Sequence, residues 1–296
     1  MKKTTAGFIA GARENHMTPS ITGRTKIIAH LGVPTESFKA PMIYNPFFAA
    51  RGIDSVVVPM GCEAEDFAAF LKLVFRLRNI AGALITMPHK VSVVALLDEV
   101  STTVKICGAC NAVRRTSDGK LVGDMFDGEG FVRGVNRKGR SIEGASALVV
   151  GAGGVGSAIA ASLAAAGAAR IGLFDLRGEV AAVLAARLAA HYPALDVDCG
   201  LNDPAGYDIV VNATPLGMNV DDPLPFDIGR LSAKTFVGEV VLSAEETPLL
   251  AAARQKGCAT QVGTDMLFKQ IPAYLEFFGY PATTPEELRR LAMILY

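Results

Sequence analysis

Short apolar runs alternate with longer amphipathic stretches along almost the whole chain. In the first half, Lys26–Leu31, Ser55–Pro59 and Ala83–Thr86 read as strands, and Pro41–Ala50 and Glu65–Leu77 between them carry helical spacing. Ile106–Arg115 reads as a further strand, joined through Ser117-Asp118-Gly119 to Lys120–Gly123 in a hairpin-like excursion. The rhythm restarts at Ala147–Val150. Strands are predicted at Arg170–Phe174, Asp196–Cys199, Asp208–Asn212, Thr235–Val240 and Ala259–Val262, with helices over Val155–Ala166 and Glu179–His191. After Gly263 the pattern is helical again, over Asp265–Phe278 and Pro285–Leu295.

Such alternation implies parallel sheets with helices on their faces. The expected class is α/β: an N-terminal α/β substrate domain over 1–127, a Rossmann dinucleotide-binding domain over 128–263, and C-terminal helices over 264–296 returning to the first domain. A length of 296 residues is ample for two cores of ordinary size.

Charge and composition narrow the partners. Lys+Arg and Asp+Glu balance at 29 each, so no global basic field exists to hold nucleic acid or an anionic membrane. No apolar run approaches the roughly 20 residues that span a bilayer. The N-terminus, Met1-Lys2-Lys3 before AGFIAGA, faintly resembles a signal peptide, but its apolar part is short and Arg13, Glu14, Asn15 and His16 follow at once. We read it as a loose leader on a cytoplasmic protein, with Met17 as an alternative start. The expected partner is a small-molecule substrate, on a monomer or homodimer.

The five cysteines, Cys62, Cys107, Cys110, Cys199 and Cys258, are odd in number and scattered, as befits reduced thiols. Cys107 and Cys110 form a CxxC, read as two buried small side chains in a strand, since no second pair or nearby histidine completes a metal site. With four histidines and no HExxH, no metal is expected, and no GxSxG elbow marks a serine hydrolase. The basic stretch Arg133–Arg140 lacks interleaved aromatics and reads as a solvated helix end and loop.

The strongest local signal is Ala147-Leu-Val-Val-Gly151-Ala-Gly153-Gly154-Val155-Gly156, an apolar strand running through GxGxxG into an Ala-rich helix. Glycines there permit a tight turn and close backbone approach to a pyrophosphate, which the helix N-terminus then receives. Asp175 closes the next strand, where a carboxylate takes the ribose hydroxyls of NAD and repels a 2′-phosphate. NAD is therefore the expected cofactor, and Arg177 close by keeps NADP open. Gly82-Ala-Leu-Ile-Thr86-Met-Pro88-His-Lys90 runs from a strand towards a helix whose dipole would lower the pKa of Lys90, making it a proton acceptor; a solvated surface lysine is the equal alternative.

Several collinear segments together resemble the shikimate dehydrogenase family, including its quinate/shikimate branch. Gly82–Lys90 is similar to the family's strand–TxPxK motif, Gly108-Ala-Cys-Asn111 to GAxN, and Gly123-Asp124-Met-Phe-Asp127-Gly128 to GxNTDG. Asn212-Ala-Thr214-Pro215-Leu-Gly217-Met218, Thr247-Pro248-Leu-Leu and Gly263-Thr-Asp-Met266-Leu-Phe-Lys-Gln270 also fall in place. The resemblance implies that Lys90 and Asp127 form the catalytic pair, that Asn111 and Gln270 bond ring hydroxyls of the substrate, that Thr86 lines the substrate, that Thr214, Pro215 and Met218 line the cofactor, and that Gly263 lies beside the nicotinamide. An acid at 175 resembles the NAD-using branch.

The departures gather in the substrate pocket. The family's early serine pair, which grips the substrate carboxylate, is replaced by Phe38 and Ala40; the asparagine before TxP is Leu84; Met125 and Phe126 replace Asn-Thr; and Leu242 stands for a tyrosine. Each hydrogen bond to a carboxylate is worth about 1–3 kcal/mol, so two lost bonds lower affinity by about two orders of magnitude. Lys39 or Ser37 could take the carboxylate from a shifted position. The expectation is an NAD-dependent oxidoreductase of a secondary alcohol in a cyclic hydroxy acid related to shikimate or quinate, with altered specificity. The alternatives are a nucleotide-binding sensor that has lost catalysis and a one-carbon folate dehydrogenase; the Lys90–Asp127 pair argues against the first, Asn212–Met218 and Gly263–Gln270 against the second.

Overall fold

The computed structural model describes residues 20–219, 221–242 and 246–294. The leader, the choice between Met1 and Met17, and the end of the last expected helix at Leu295 lie outside the described residues. The first sheet is built from β1 (Lys26–Leu31), β2 (Ser55–Met60), β3 (Ile80–Ile85), β4 (Glu99–Val100), β5 (Ala112–Arg115) and β6 (Leu121–Asp124), in the order β2-β1-β3-β5-β6-β4. Its first three strands are parallel, with α1 (Pro41–Ala50) and α2 (Phe67–Val74) as crossovers. A parallel pair needs such a crossover, whereas β5 and β6, which run antiparallel, need only the turn at Thr116–Lys120.

One strand expectation fails. Ile106–Arg115 is not a single strand: Thr102–Cys107 forms helix α3, capped by the Ser101 hydroxyl, which accepts the Val104 N–H, and ended by left-handed Gly108. Only Ala112–Arg115 is strand. The β-branched and apolar residues of 104–107 mimic a strand locally, but a serine N-cap and a glycine stop make a short helix available, and its packing on the second half of the chain selects it. Cys107 and Cys110 are buried, as expected, yet neither lies in a strand.

Helix α4 (Asp127–Arg137) links the two sheets. The second sheet contains β7 (Ser146–Val150), β8 (Arg170–Phe174), β9 (Asp196–Cys199), β10 (Ile209–Asn212), β11 (Phe236–Glu239) and β12 (Ala259–Gln261), all parallel in the order β12-β11-β10-β7-β8-β9. That is the doubly wound Rossmann order, whose reversal point lies between β7 and β10. Helices α5 (Gly154–Ala165), α6 (Gly178–His191) and α7 (Pro248–Gln255) make its crossovers, and α8 (Gly263–Phe277) and α9 (Pro285–Leu291) turn back onto the first sheet.

Small residues bring the layers together at α4. A Cβ on Gly128 would fall inside the Ala158 carbonyl of α5, and one on Gly130 would stand 2.6 Å from the Met266 oxygen of α8. Gly128→Ala is therefore expected to lower stability by about 2–3 kcal/mol, the usual cost of overpacking. Denaturant unfolding checks it, and a loss below about 0.5 kcal/mol would show that α4 and α5 part without penalty.

Candidate active site

Lys90 and Asp127 meet although 37 residues separate them, the ammonium donating to Oδ2 at 2.6 Å. Their side chains are 18% and 5% exposed, so the pair is largely withdrawn from water. Such a pair persists only where geometry and further hydrogen bonds offset desolvation. The second oxygen of Asp127 accepts from Asn111 Nδ2 at 2.9 Å, and Asn111 Oδ1 accepts the Phe126 N–H at 3.1 Å. Asn111 thus clamps the first residue of α4, while its own backbone is locked between Asp124 and Ile85.

The α-helix expected after Lys90 is not there. Residues 86–91 form turns, followed by a 3-10 helix at Ser92–Leu96. A helix dipole acting on Lys90 is therefore replaced by a carboxylate in direct contact. The turn is fixed from within: Thr86 N–H donates to the Leu31 carbonyl, His89 Nε2 lies 2.7 Å from the Cys62 carbonyl, and the His89 ring stacks on Phe67 at 3.9 Å. Gly32 permits the approach, since a Cβ there would stand 2.5 Å from Met87 O and Thr86 Cγ2.

Most of the other residues expected on the substrate side lie around one face of the first sheet. Phe38 is buried, Lys39 half-buried, and Ala40 and Leu84 buried in the cluster formed with α1 and α8. Phe126 packs edge-on against Tyr274 and Phe277. Met125 instead enters the core on the opposite face, with Cys110 and Val113. Ser37 is exposed and its hydroxyl donates to Pro34 O at 2.9 Å, so it is spent on its own turn. On α8, Gln270 is buried and its Oε1 has no hydrogen-bond partner among the described residues.

At the second sheet, Gly151 has φ +102° and a Cβ there would come within 2.8 Å of the Ala213 carbonyl, while one on Gly156 would fall inside the Gly151 carbonyl. Gly153 has open space, and Gly154 and Val155 begin α5. Strand, loop and helix N-terminus thus form a cradle that fits a dinucleotide pyrophosphate. Asp175 Oδ2 accepts the Ala152 N–H at 2.8 Å and Oδ1 the Arg177 N–H at 2.9 Å, anchoring the carboxylate beside that loop. Arg177 itself is exposed and 3.8 Å from it.

Three residues to which the sequence reading gave no role organise the site. Asn212 Oδ1 accepts from both the N–H and hydroxyl of Thr214, and its Nδ2 donates to Leu216 O, shaping the loop that carries Thr214, Pro215 and Met218. Glu239, paired with Asn212 in register, accepts from the Thr247 hydroxyl at 2.8 Å; burial pushes its carboxyl up to about 7. His30 is buried on β1 and stacks on Phe38 at 4.0 Å. A polar residue inside an apolar strand was the available signal for His30. Gly263 opens α8 against the Val241 carbonyl.

Other chemistry is not favoured. Burial raises the Cys107 and Cys110 thiols to about 11 and about 12, which keeps them protonated. Among the described residues no cluster of His, Cys, Asp or Glu could hold a metal ion, and no helix is long and apolar enough to cross a membrane. In the basic stretch, Arg133, Arg137, Lys138 and Arg140 pair with Glu129, Glu286, Asp265 and Asp208.

The profile of the shikimate dehydrogenase substrate binding domain matches residues 31–113. A shikimate dehydrogenase (NADP(+)) of Rubrobacter xylanophilus is 36% identical over 85% of this chain and 90% of its own. The chain belongs to the shikimate dehydrogenase family. Among solved structures, quinate dehydrogenase from Corynebacterium glutamicum in complex with NAD is similar at 30% identity and TM-score 0.81, covering 90% of this chain and 98% of its own. The 5-ketofructose reductase of a Gluconobacter strain is similar at 26% identity and TM-score 0.83, covering 91% and 98%. The protein is accordingly an oxidoreductase dependent on a nicotinamide dinucleotide and acting on a CH–OH donor.

Glu239 supplies a test of the site's electrostatics. Its folded value lies above the ordinary 4.5, so its contribution to stability is whole below pH 4.5 and is lost as pH rises through about 7. Glu239→Gln is expected to be the more stable form at pH 8, by about 2–3 kcal/mol. The gap should close below pH 4.5; equal unfolding free energies at pH 8 would refute the assignment.

Proposed function

We propose that the protein transfers hydride between NAD and a secondary alcohol of a shikimate- or quinate-related ring, with Lys90 and Asp127 as the catalytic pair. The buried 2.6 Å contact between these two side chains carries the reading. A bound nicotinamide dinucleotide takes up or returns the hydride. The Lys90 ammonium hands a proton to Asp127 across their 2.6 Å contact as it takes the proton of the ring alcohol, so the pair ends with one proton more and a net positive charge. Asn111 orients Asp127 and has a second amide hydrogen for a ring hydroxyl. Gln270 Oε1, buried without a partner among the described residues, accepts from another hydroxyl. Thr86, Phe38 and Lys39 bound the substrate side.

For the cofactor, Gly151, Gly153, Gly154, Val155 and Gly156 take the pyrophosphate at the α5 N-terminus, while Thr214, Pro215, Met218 and Gly263 line the nicotinamide end. The Rubrobacter relative is named for NADP, and the Corynebacterium structure holds NAD. The charge of Asp175 favours NAD here, because a 2′-phosphate would meet a fixed carboxylate with only exposed Arg177 to compensate. The loss of the serine pair supports a substrate gripped differently from shikimate. The retained Lys90–Asp127 pair argues against a binder that has lost catalysis.

Two outcomes are expected. Lys90→Ala lowers kcat at least about a hundredfold with the dissociation constant of NAD unchanged; equal losses in both would remove Lys90 from the chemistry. Asp175→Asn raises the ratio of kcat/KM for NADP over NAD about tenfold or more, checked by initial rates with each cofactor, and an unchanged ratio would overturn the NAD assignment.

A further inference from the structure

The two buried imidazoles, His30 of β1 and His89 of the turn after β3, differ in what they touch. His89 is spent on structure, with a hydrogen bond to Cys62 O and a stack on Phe67. His30 stacks on Phe38, but its Nδ1 is buried and unbonded among the described residues. Parallel register sets His30 beside Leu84 of β3, and Leu84 in turn faces Ala112 of β5. The imidazole is thus the one polar side chain in a cross-strand row of His30, Leu84 and Ala112, with Phe38 stacked on it. Phe126 and Ala40 belong to the cluster on the same face. Two of the replaced family positions, 38 and 84, therefore adjoin a single histidine, and a third, 40, belongs to the cluster on that face.

We infer that His30 is a specificity-determining residue of the site, hydrogen-bonding a neutral hydroxyl or carbonyl of the substrate where the family's serine pair would hold a carboxylate. This rests on reading the cleft at Lys90 as the ring-alcohol site. The ring is neutral at physiological pH, because burial, and then the Lys90 ammonium, push it down to about 3. A neutral imidazole offers one donor and one acceptor. Where the family's serine pair would offer a carboxylate two neutral donors, the His30 ring offers one and its neighbours Phe38 and Leu84 offer none, so a carboxylate is held less well there. A hydroxyl or carbonyl needs only the single bond that His30 supplies. The substrate class that fits is an uncharged ring bearing the reacting secondary alcohol and a second neutral polar group.

The experiment measures NAD reduction by the full-length chain with shikimate and with its uncharged methyl ester, for the native protein, His30→Leu and His30→Asn. The native protein is expected to show kcat/KM about tenfold or more higher on the ester than on shikimate. His30→Leu should lose about tenfold on the ester, chiefly through KM, while His30→Asn, which keeps a donor and an acceptor, retains most of it. The thermal midpoint of His30→Leu should equal or exceed that of the native protein, since an unpaired buried nitrogen is removed. Preference for shikimate, an undiminished Leu variant, equal losses in Leu and Asn, or a lowered midpoint for Leu would each overturn the assignment. Native protein that binds NAD yet oxidises neither compound would overturn the ring-alcohol reading itself, and this inference with it.

Discussion

The contact between Lys90 and Asp127 joins the turn after β3 to the first residue of the helix that links the two sheets. A buried ion pair is tolerated only where both charges are held at contact distance and their remaining valences are met. Asn111 meets that need for Asp127, and its backbone is fixed between β3 and the end of β6. The start of α4 must consequently sit where the first sheet can reach it. Gly128 and Gly130 let α5 and α8 close on either side at backbone distance. The glycines of α4 are thus part of the site, because without them the carboxylate could not enter between the layers.

On the cofactor side the same economy of space prevails. Gly156 allows α5 to meet the strand that precedes it, and Asp175 is tethered by two backbone N–H groups rather than left to solvent. Asn212 and Glu239 form a second, buried polar layer beneath the Thr214 loop. A buried carboxyl with few donors holds its proton more tightly, which is why Glu239 titrates near neutrality. On the substrate side polarity has been withdrawn. Phe38, Ala40 and Leu84 stand together, and Phe126 is closed off by Tyr274 and Phe277. His30 stands beside two of these apolar side chains, Phe38 and Leu84.

Local periodicity was enough for most elements. The strand Lys26–Leu31 and the helix Pro41–Ala50 stand where the pattern put them, and GxGxxG lies between its strand and helix. Each of these depends on interactions within a few residues: alternation, a proline at the first helical turn, glycines at a tight bend. Two readings failed for one reason. Residues 104–107 could be strand or helix, and 91–96 could be α-helix or 3-10 turn; contacts with distant segments chose between near-equal local options. Neither short run carries enough local preference to decide alone.

The sequence by itself determined that a dinucleotide loop, an acid at its next strand and a lysine in a TxPxK segment belong to one protein, since these are statements about residue type and spacing. It also set Phe38 and Ala40 where the resemblance expects a serine pair. Only the tertiary structure decided that Asn111 clamps Asp127, that Ser37 is spent on its own turn, that Met125 turns away into the opposite core, and that His30 stands unpaired against Phe38. Those outcomes depend on which groups far apart in the chain compete for one buried volume and one set of hydrogen bonds. No local pattern encodes that competition; packing resolves it.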